Sequence, residues 1–145
     1  MSGDDFYFDT SALLPYYREE IISPAVQTVL SQTQPPVLLS DLTRVEMASA
    51  IARWTRMKEI GEPQAALIEN TFEQDIRAGL YRVHPLAPIH YQKAEKWLSA
   101  RKTALRTLDA IHIACCWTLH AKLITCDHTM HDAAEMLGLE SVLIE

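Results

Sequence analysis

Short apolar runs alternate along the chain with longer segments whose apolar residues recur at helical spacing. Phe6-Tyr7-Phe8 stops abruptly at Asp9-Thr10-Ser11, and Val37-Leu38-Leu39 follows Pro35-Pro36 and stops at Ser40-Asp41. Leu80-Tyr81-Arg82-Val83 follows Gly79, Leu123-Ile124-Thr125 stops at Cys126-Asp127, and Val142-Leu143-Ile144 comes last. Short apolar runs bounded by turn formers predict strands, here five of them.

The intervening segments predict helices. Residues 43–58 carry Val45, Ala48, Ile51, Ala52 and Trp54 at helical spacing, with Gly61 and Pro63 as a stop. Residues 63–78 open on a proline and end just before Gly79, the usual asymmetry of helix ends. Residues 88–102, 107–120 and 129–137 follow, and two shorter helices fit residues 12–17 and 23–30. Strands separated by helices call for crossover connections, hence a parallel sheet covered on both faces. The expectation is one α/β domain over residues 1–145, with no repeat or linker.

Composition narrows the class without naming a function. The chain has 145 residues, 48% apolar and 22% charged, with a formal net charge of −6. That apolar content argues against disorder, and no run approaches the roughly 20 residues of a spanning helix. Asp4 and Asp5 precede the first apolar run, so no secretory leader is expected. Three cysteines, two of them the adjacent Cys115 and Cys116, make no disulfide framework, and the expected compartment is the reducing cytoplasm.

The acids are placed with a pattern. Ligands of an open parallel sheet bind beyond the carboxyl ends of its strands, which is where Asp9 and Asp127 follow the first and fourth runs. Asp109 falls in the first turn of a helix that is apolar over most of its circumference: Leu108, Ile111, Ala114, Cys115, Trp117 and Leu119. An acid there also suits the helix dipole. Glu46 is the one acid within the otherwise apolar 45–54 stretch, and a solvated helix face would explain it alone. Taken together, the four crowd negative charge at one edge of the sheet, and charges that close need compensation. Hard Mg²⁺ or Mn²⁺, which prefer oxygen ligands, would supply it. Thr10, Ser11, Thr107 and Thr125 stand beside these acids and suit orienting hydrogen bonds, although Thr107 equally suits helix capping.

These segments resemble a known family. Phe8-Asp9-Thr10-Ser11-Ala12-Leu13, Glu46 within Thr43-Arg44-Val45-Glu46-Met47-Ala48-Ser49-Ala50, Leu108-Asp109-Ala110-Ile111-His112-Ile113-Ala114, and Thr125-Cys126-Asp127 look like the ordered motifs of PIN-domain nucleases. The likeness is greatest to VapC-type toxins of toxin–antitoxin pairs. The resemblance implies a three-layer α/β/α domain with a mostly parallel four- to five-stranded sheet. It further implies a metal-dependent endoribonuclease in which Asp9, Glu46, Asp109 and Asp127 hold one or two Mg²⁺ or Mn²⁺ ions. Phosphodiester hydrolysis would then need no side-chain nucleophile and would leave 5′-phosphate and 3′-hydroxyl ends. An RNA substrate, a cognate antitoxin and a homodimeric partner copy are implied as partners, and no membrane. Some relatives carry a further acid after the last motif; here His128 and His131 follow Asp127, and Asp132 is an alternative fourth corner. A non-cleaving PIN-like module that binds RNA or protein is the competing function.

Other chemistries find less support. A phosphoacceptor receiver would want an acid pair ending the first strand and a lysine ending a later one, whereas Asp4-Asp5 and Lys122 both precede their strands. A haloacid-type phosphatase would want an acid where Ser11 stands. His112 and Cys116 are four apart, and Cys126, His128 and His131 lie together, but the spacings that specify zinc are absent. His112 reads as a core histidine, and Cys115 and Cys116 read as small buried residues. Four scattered glycines leave no phosphate-cradling loop. Trp54, Trp97 and Trp117 suit packing more than base stacking. Met47, Ile51, Trp54 and Met57 read as a second apolar stripe, for dimer packing, beyond a Val45–Ala48–Ala52 core face.

Net charge conceals one local excess. Lys93, Lys96, Arg101, Lys102 and Arg106 meet only Glu95 in the stretch leading to Asp109. Arg53 lies two turns beyond Glu46 on nearly the same helix face. Basic groups flanking an acidic metal pocket suit a phosphodiester backbone, so Arg53, Arg101, Lys102 and Arg106 are the RNA-backbone candidates.

Overall fold

The computed structural model describes residues 4–145. Its elements run β1 (Phe6–Phe8), α1 (Thr10–Tyr17), α2 (Ser23–Gln32), β2 (Val37–Ser40), α3 (Asp41–Arg56), α4 (Glu62–Arg77), β3 (Tyr81–His84), α5 (Pro88–Ala100), α6 (Thr107–Thr118), β4 (Lys122–Thr125), α7 (His128–Met136) and β5 (Ser141–Leu143). All five expected strands and seven expected helices form, with ends displaced by at most two residues. Gly79, just past α4, has φ of +88°, the left-handed turn that glycine makes without steric cost.

The strands make one sheet in the order β3-β2-β1-β4-β5, and every pair is parallel. Strand alternation sorts the apolar residues onto its two faces. Tyr7, Leu38 and Leu123 join Ala94 of α5, Ile113 of α6 and Met130 of α7 on one side. Phe8, Leu39 and Ile124 join Leu13 of α1, Val26 of α2 and Phe72 of α4 on the other. The result is a three-layer α/β/α sandwich. Among the described residues no helix is long and apolar enough to cross a membrane.

One expectation about faces is reversed and one is met in part. On α3 the core side is Met47, Ala50, Ile51 and Trp54, while Val45 is 66% exposed and Ala48 and Ala52 are exposed as well. Both sides of α3 are apolar, and the bulkier side, with more surface to remove from water, turns inward against α1 and α4. Trp54 is therefore core, with the Arg18 guanidinium 4.8 Å from its ring centre, and Met57 is left exposed. On α6, Leu108 and Trp117 emerge from the core. Trp117 packs edge-to-face on Trp97, and the Lys93 ammonium lies over both rings.

The order of the strands also locates the site. From β1 the chain adds β2 and β3 to one side, then crosses back to add β4 and β5 to the other. The crevice outside the carboxyl ends of β1 and β4 is the topological switch point, where open α/β sheets bind ligands.

Candidate functional site

Register places Asp9 at that switch point. Phe8 pairs with Ile124, and the Asp9 N–H continues the ladder to the Ile124 carbonyl at 3.1 Å. Asp9 thus comes opposite Thr125, whose Oγ1 donates to Asp9 Oδ2 at 2.8 Å. Ser11 Oγ lies 2.8 Å and 3.0 Å from the two carboxylate oxygens. Asp9 also caps α1, accepting from the Ala12 N–H at 3.1 Å. Burial raises its pKa to about 6, although His112, Thr125, Ser11 and Ala12 all oppose the shift.

Glu46 reaches the same edge from the second turn of α3. Its Oε1 accepts from Thr10 Oγ1 and from His112 Nε2, each at 2.5 Å. Partial burial would raise its pKa, but the His112 hydrogen bond and charge, with help from Thr10, bring it below the usual value.

Asp109, half-buried in the first turn of α6, has a raised pKa. Burial is the main cause, and the charges of Asp127 and Glu46 add to it, against His112 and Arg106. Asp127 caps α7, accepting from the Met130 N–H at 3.2 Å. The four acids therefore converge on one edge, and like charge couples Asp109 to two of the others. Asp132 is exposed on α7 and lines a different groove with Arg101 and Lys102.

Residues 6–136 match the model of the PIN domain family. The chain belongs to the PIN domain family. No curated protein sequence matches it significantly. Among solved structures, FitAcB from Neisseria gonorrhoeae superposes with a TM-score of 0.74 at 17% identity, over 94% of this chain and 95% of that one. VapC20 from Mycobacterium tuberculosis, a toxin that cleaves the sarcin–ricin loop, gives 0.70 at 15% identity over 96% and 99%. VapBC2 from Rickettsia felis, bound to a promoter DNA fragment, gives 0.69 at 8% identity over 97% and 98%. At these identities the likeness is one of fold.

In this PIN domain three of the four expected hydroxyls touch the acids or their holders. Thr10 binds Glu46, Ser11 and Thr125 bind Asp9, and Ser11 also accepts the Cys126 N–H at 3.1 Å. Thr107 does not: it is the exposed first residue of α6, Arg106 takes the cap position, and its hydroxyl meets no carboxylate among the described residues. Arg53 lines a groove of about 420 Å³ with Thr10, Ser11, Glu46 and Leu108. Arg106 stands close enough to Asp109 for its charge to be felt. Arg101 and Lys102 lie apart, in a second groove of about 360 Å³ with Thr129 and Asp132.

His112 is buried as expected, yet it is more than core filling. It contacts Glu46 directly, and its other nitrogen meets the Tyr7 hydroxyl at 2.7 Å. The signal was its position three residues after Asp109, on the same helical face. Cys116 points away from it and donates to the Ala121 carbonyl, while burial raises the thiols of Cys115 and Cys116 to about 11 and about 12. His128 pairs with Glu145, and His131 with Ser141 and Glu135, so no zinc cluster forms from them.

The donor chemistry fits a hard divalent cation: all-oxygen ligands, partly desolvated, with burial and then like charges raising Asp109. Among the described residues, no three His, Cys, Asp or Glu side chains enclose an ion as they stand. Asp9, Glu46 and Asp127 accept instead from hydroxyl, imidazole or backbone donors, and Asp109 lies within range of the Arg106 charge.

Proposed function

We propose that this PIN domain is a metal-dependent endoribonuclease that hydrolyses RNA phosphodiester bonds and serves as the toxin of a type II toxin–antitoxin pair. The observation that carries the reading is the convergence of Asp9, Glu46, Asp109 and Asp127 at the β1/β4 switch point, with Asp109 raised by burial and further by the charges of Asp127 and Glu46. A scaffold has no use for such crowding, whereas a cation-binding edge requires it. The VapBC2 and FitAcB likenesses support a cognate antitoxin as partner, and the VapC20 likeness supports an RNA substrate. A second copy of the chain is the further partner proposed.

Asp9, Glu46, Asp109 and Asp127 would hold Mg²⁺ or Mn²⁺, with Thr10, Ser11 and Thr125 fixing the directions of the carboxylates. When bound, such a cation supplies positive charge to the phosphodiester and lowers the pKa of attacking water. The chain itself supplies position. Arg53 in the Glu46 groove and Arg106 beside Asp109 meet the RNA backbone near the scissile bond, and Arg101 and Lys102 meet it further along. No Ser, Cys or His nucleophile is needed.

The test is incubation of purified protein with RNA, with and without Mg²⁺ or Mn²⁺. Cleavage that needs the ion and stops with EDTA is expected; EDTA-resistant cleavage overturns the metal mechanism. Binding without cleavage under every ion would favour the non-cleaving module, a reading favoured by the way hydroxyls already occupy Asp9.

A further inference from the structure

Glu46 stands at the end of a buried chain of polar groups that crosses the sheet edge. Ser40 Oγ, at the end of β2, meets the Tyr7 hydroxyl of β1 at 2.9 Å. The same hydroxyl meets His112 Nδ1 at 2.7 Å, and His112 Nε2 meets Glu46 Oε1 at 2.5 Å. Tyr7 is fully buried and His112 nearly so. The two rings stand edge-to-face with centres 5.7 Å apart, so the imidazole is held by packing as well as by its nitrogens.

We infer that Tyr7 and His112 are a positioning pair that fixes the Glu46 carboxylate for divalent-cation binding, through the hydrogen-bonded contacts from Tyr7 to His112 Nδ1 and from His112 Nε2 to Glu46. This rests on the metal-dependent reading above. The hydrogen-bond directions are constrained. In a neutral ring, Tyr7 donates to Nδ1 and the ring proton sits on Nε2, toward Glu46. In an imidazolium, Nδ1–H donates to Tyr7, which donates on to Ser40, and Nε2–H still faces Glu46. The arrangement disfavoured by both partners is a bare Nε2 lone pair against a carboxylate. Either way Oε1 is pinned by His112 and Thr10, while no donor among the described residues reaches Oε2. Glu46 lines the open groove, so one oxygen is anchored and the other is left to bind. Histidine ligands of metals are commonly oriented by an outer partner; here the histidine is itself the outer partner, and Tyr7 orients it.

Two substitutions of equal chemistry separate positioning from packing. His112→Gln places an amide N–H near the position of Nε2, keeping the donor to Glu46. His112→Asn places it near Nδ1, keeping Tyr7 and losing Glu46. Tyr7→Phe keeps the aromatic ring and removes only the hydroxyl. The measurement is Mn²⁺ affinity of the full chain, by electron paramagnetic resonance of free Mn²⁺, alongside melting temperature. Expected are about 10-fold weaker binding for Tyr7→Phe and His112→Asn, the lower end of outer-partner effects, and His112→Gln within about 3-fold of wild type. If His112→Asn does not fold, Tyr7→Phe decides. Wild-type affinity in Tyr7→Phe and His112→Asn, or equal weakening in His112→Gln and His112→Asn, overturns the positioning role alone. A wild type that binds no Mn²⁺ overturns the metal reading and the pair's role together.

Discussion

Thr125 Oγ1 donates to Asp9 Oδ2 at 2.8 Å, joining two residues 116 positions apart in the chain. The contact spans the switch point, since β1 and β4 are neighbours in the sheet and Asp9 and Thr125 continue their register. It sets up an opposition at one carboxyl group. Burial drives Asp9 toward its protonated form, while Thr125, Ser11 and the Ala12 N–H are arranged for the ionised form. Burial prevails.

That balance predicts a pH-dependent cost. The pKa of folded Asp9 is about 6, against roughly 3.9 in an unfolded chain. Between those values the folded state keeps a proton that the unfolded state has lost. Stability therefore falls as pH rises from about 4 to about 6 and stays lower above it, by roughly 3 kcal/mol for this one group. Asp109, also raised, acts in the same direction, and Glu46, lowered, acts against it. Denaturant titrations of metal-free wild type and Asp9→Asn across that window isolate the Asp9 share. The variant should gain on the wild type as pH rises; parallel curves would refute the account.

Cation binding should offset the burial of Asp9 and the like charges around Asp109. At 100 times its dissociation constant an ion adds about 2.7 kcal/mol to folding stability, which corresponds to a rise of roughly 5–10 °C in melting temperature for a chain of this size. Mg²⁺ or Mn²⁺ added to chelator-treated protein should give such a rise, and Asp9→Asn should respond less. An unchanged melting temperature in saturating Mn²⁺ would count against the site.

Cleavage should depend on the same acids. Asp9→Asn and Asp109→Asn preserve shape and remove charge, so each should lower RNA cleavage by about 100-fold or more, as losing a charge-stabilising group does. Circular dichroism should show the fold intact, because asparagine can replace aspartate as the cap of α1. Asp127→Asn should cost the same or less. If Asp109→Asn cleaves normally, Asp109 is only an acid suited to the start of α6.

The strands and helices were legible because apolar runs end in sharp turn signals such as Asp9-Thr10-Ser11 and Gly79. The four candidate acids stand out in the sequence for a related reason: each interrupts an apolar stretch or follows one directly. What escaped the sequence was direction. Both faces of α3 are apolar, and only the packing of α1 and α4 against it decides that Trp54 goes inward and Val45 outward. Tyr7 and His112 were hidden because buried aromatic rings among apolar neighbours look like filling. Their polar atoms matter only once β1, β2, α3 and α6 are brought together, over sequence separations of up to 105 residues.

The basic residues divide into two groups that RNA should distinguish. Arg101 and Lys102 line a groove with Thr129 and Asp132, away from Glu46. Arg106 lowers the pKa of Asp109 through its charge, so it touches the electrostatics of the acids themselves. Replacing Arg101 and Lys102 together with alanine should weaken RNA binding and flatten its dependence on log salt by about 1.4, at about 0.7 per phosphate contact on a single strand. Turnover at saturating RNA should hold, because binding lost equally from ground and transition states raises KM without lowering kcat. Arg106→Ala should instead reduce both affinity and kcat, since it removes a phosphate contact and raises Asp109 further. Cleavage measured against RNA concentration at two salt levels separates the cases. If kcat collapses in the Arg101/Lys102 variant while affinity and salt slope stay fixed, that groove is no backbone clamp and belongs to the fold or to the antitoxin interface.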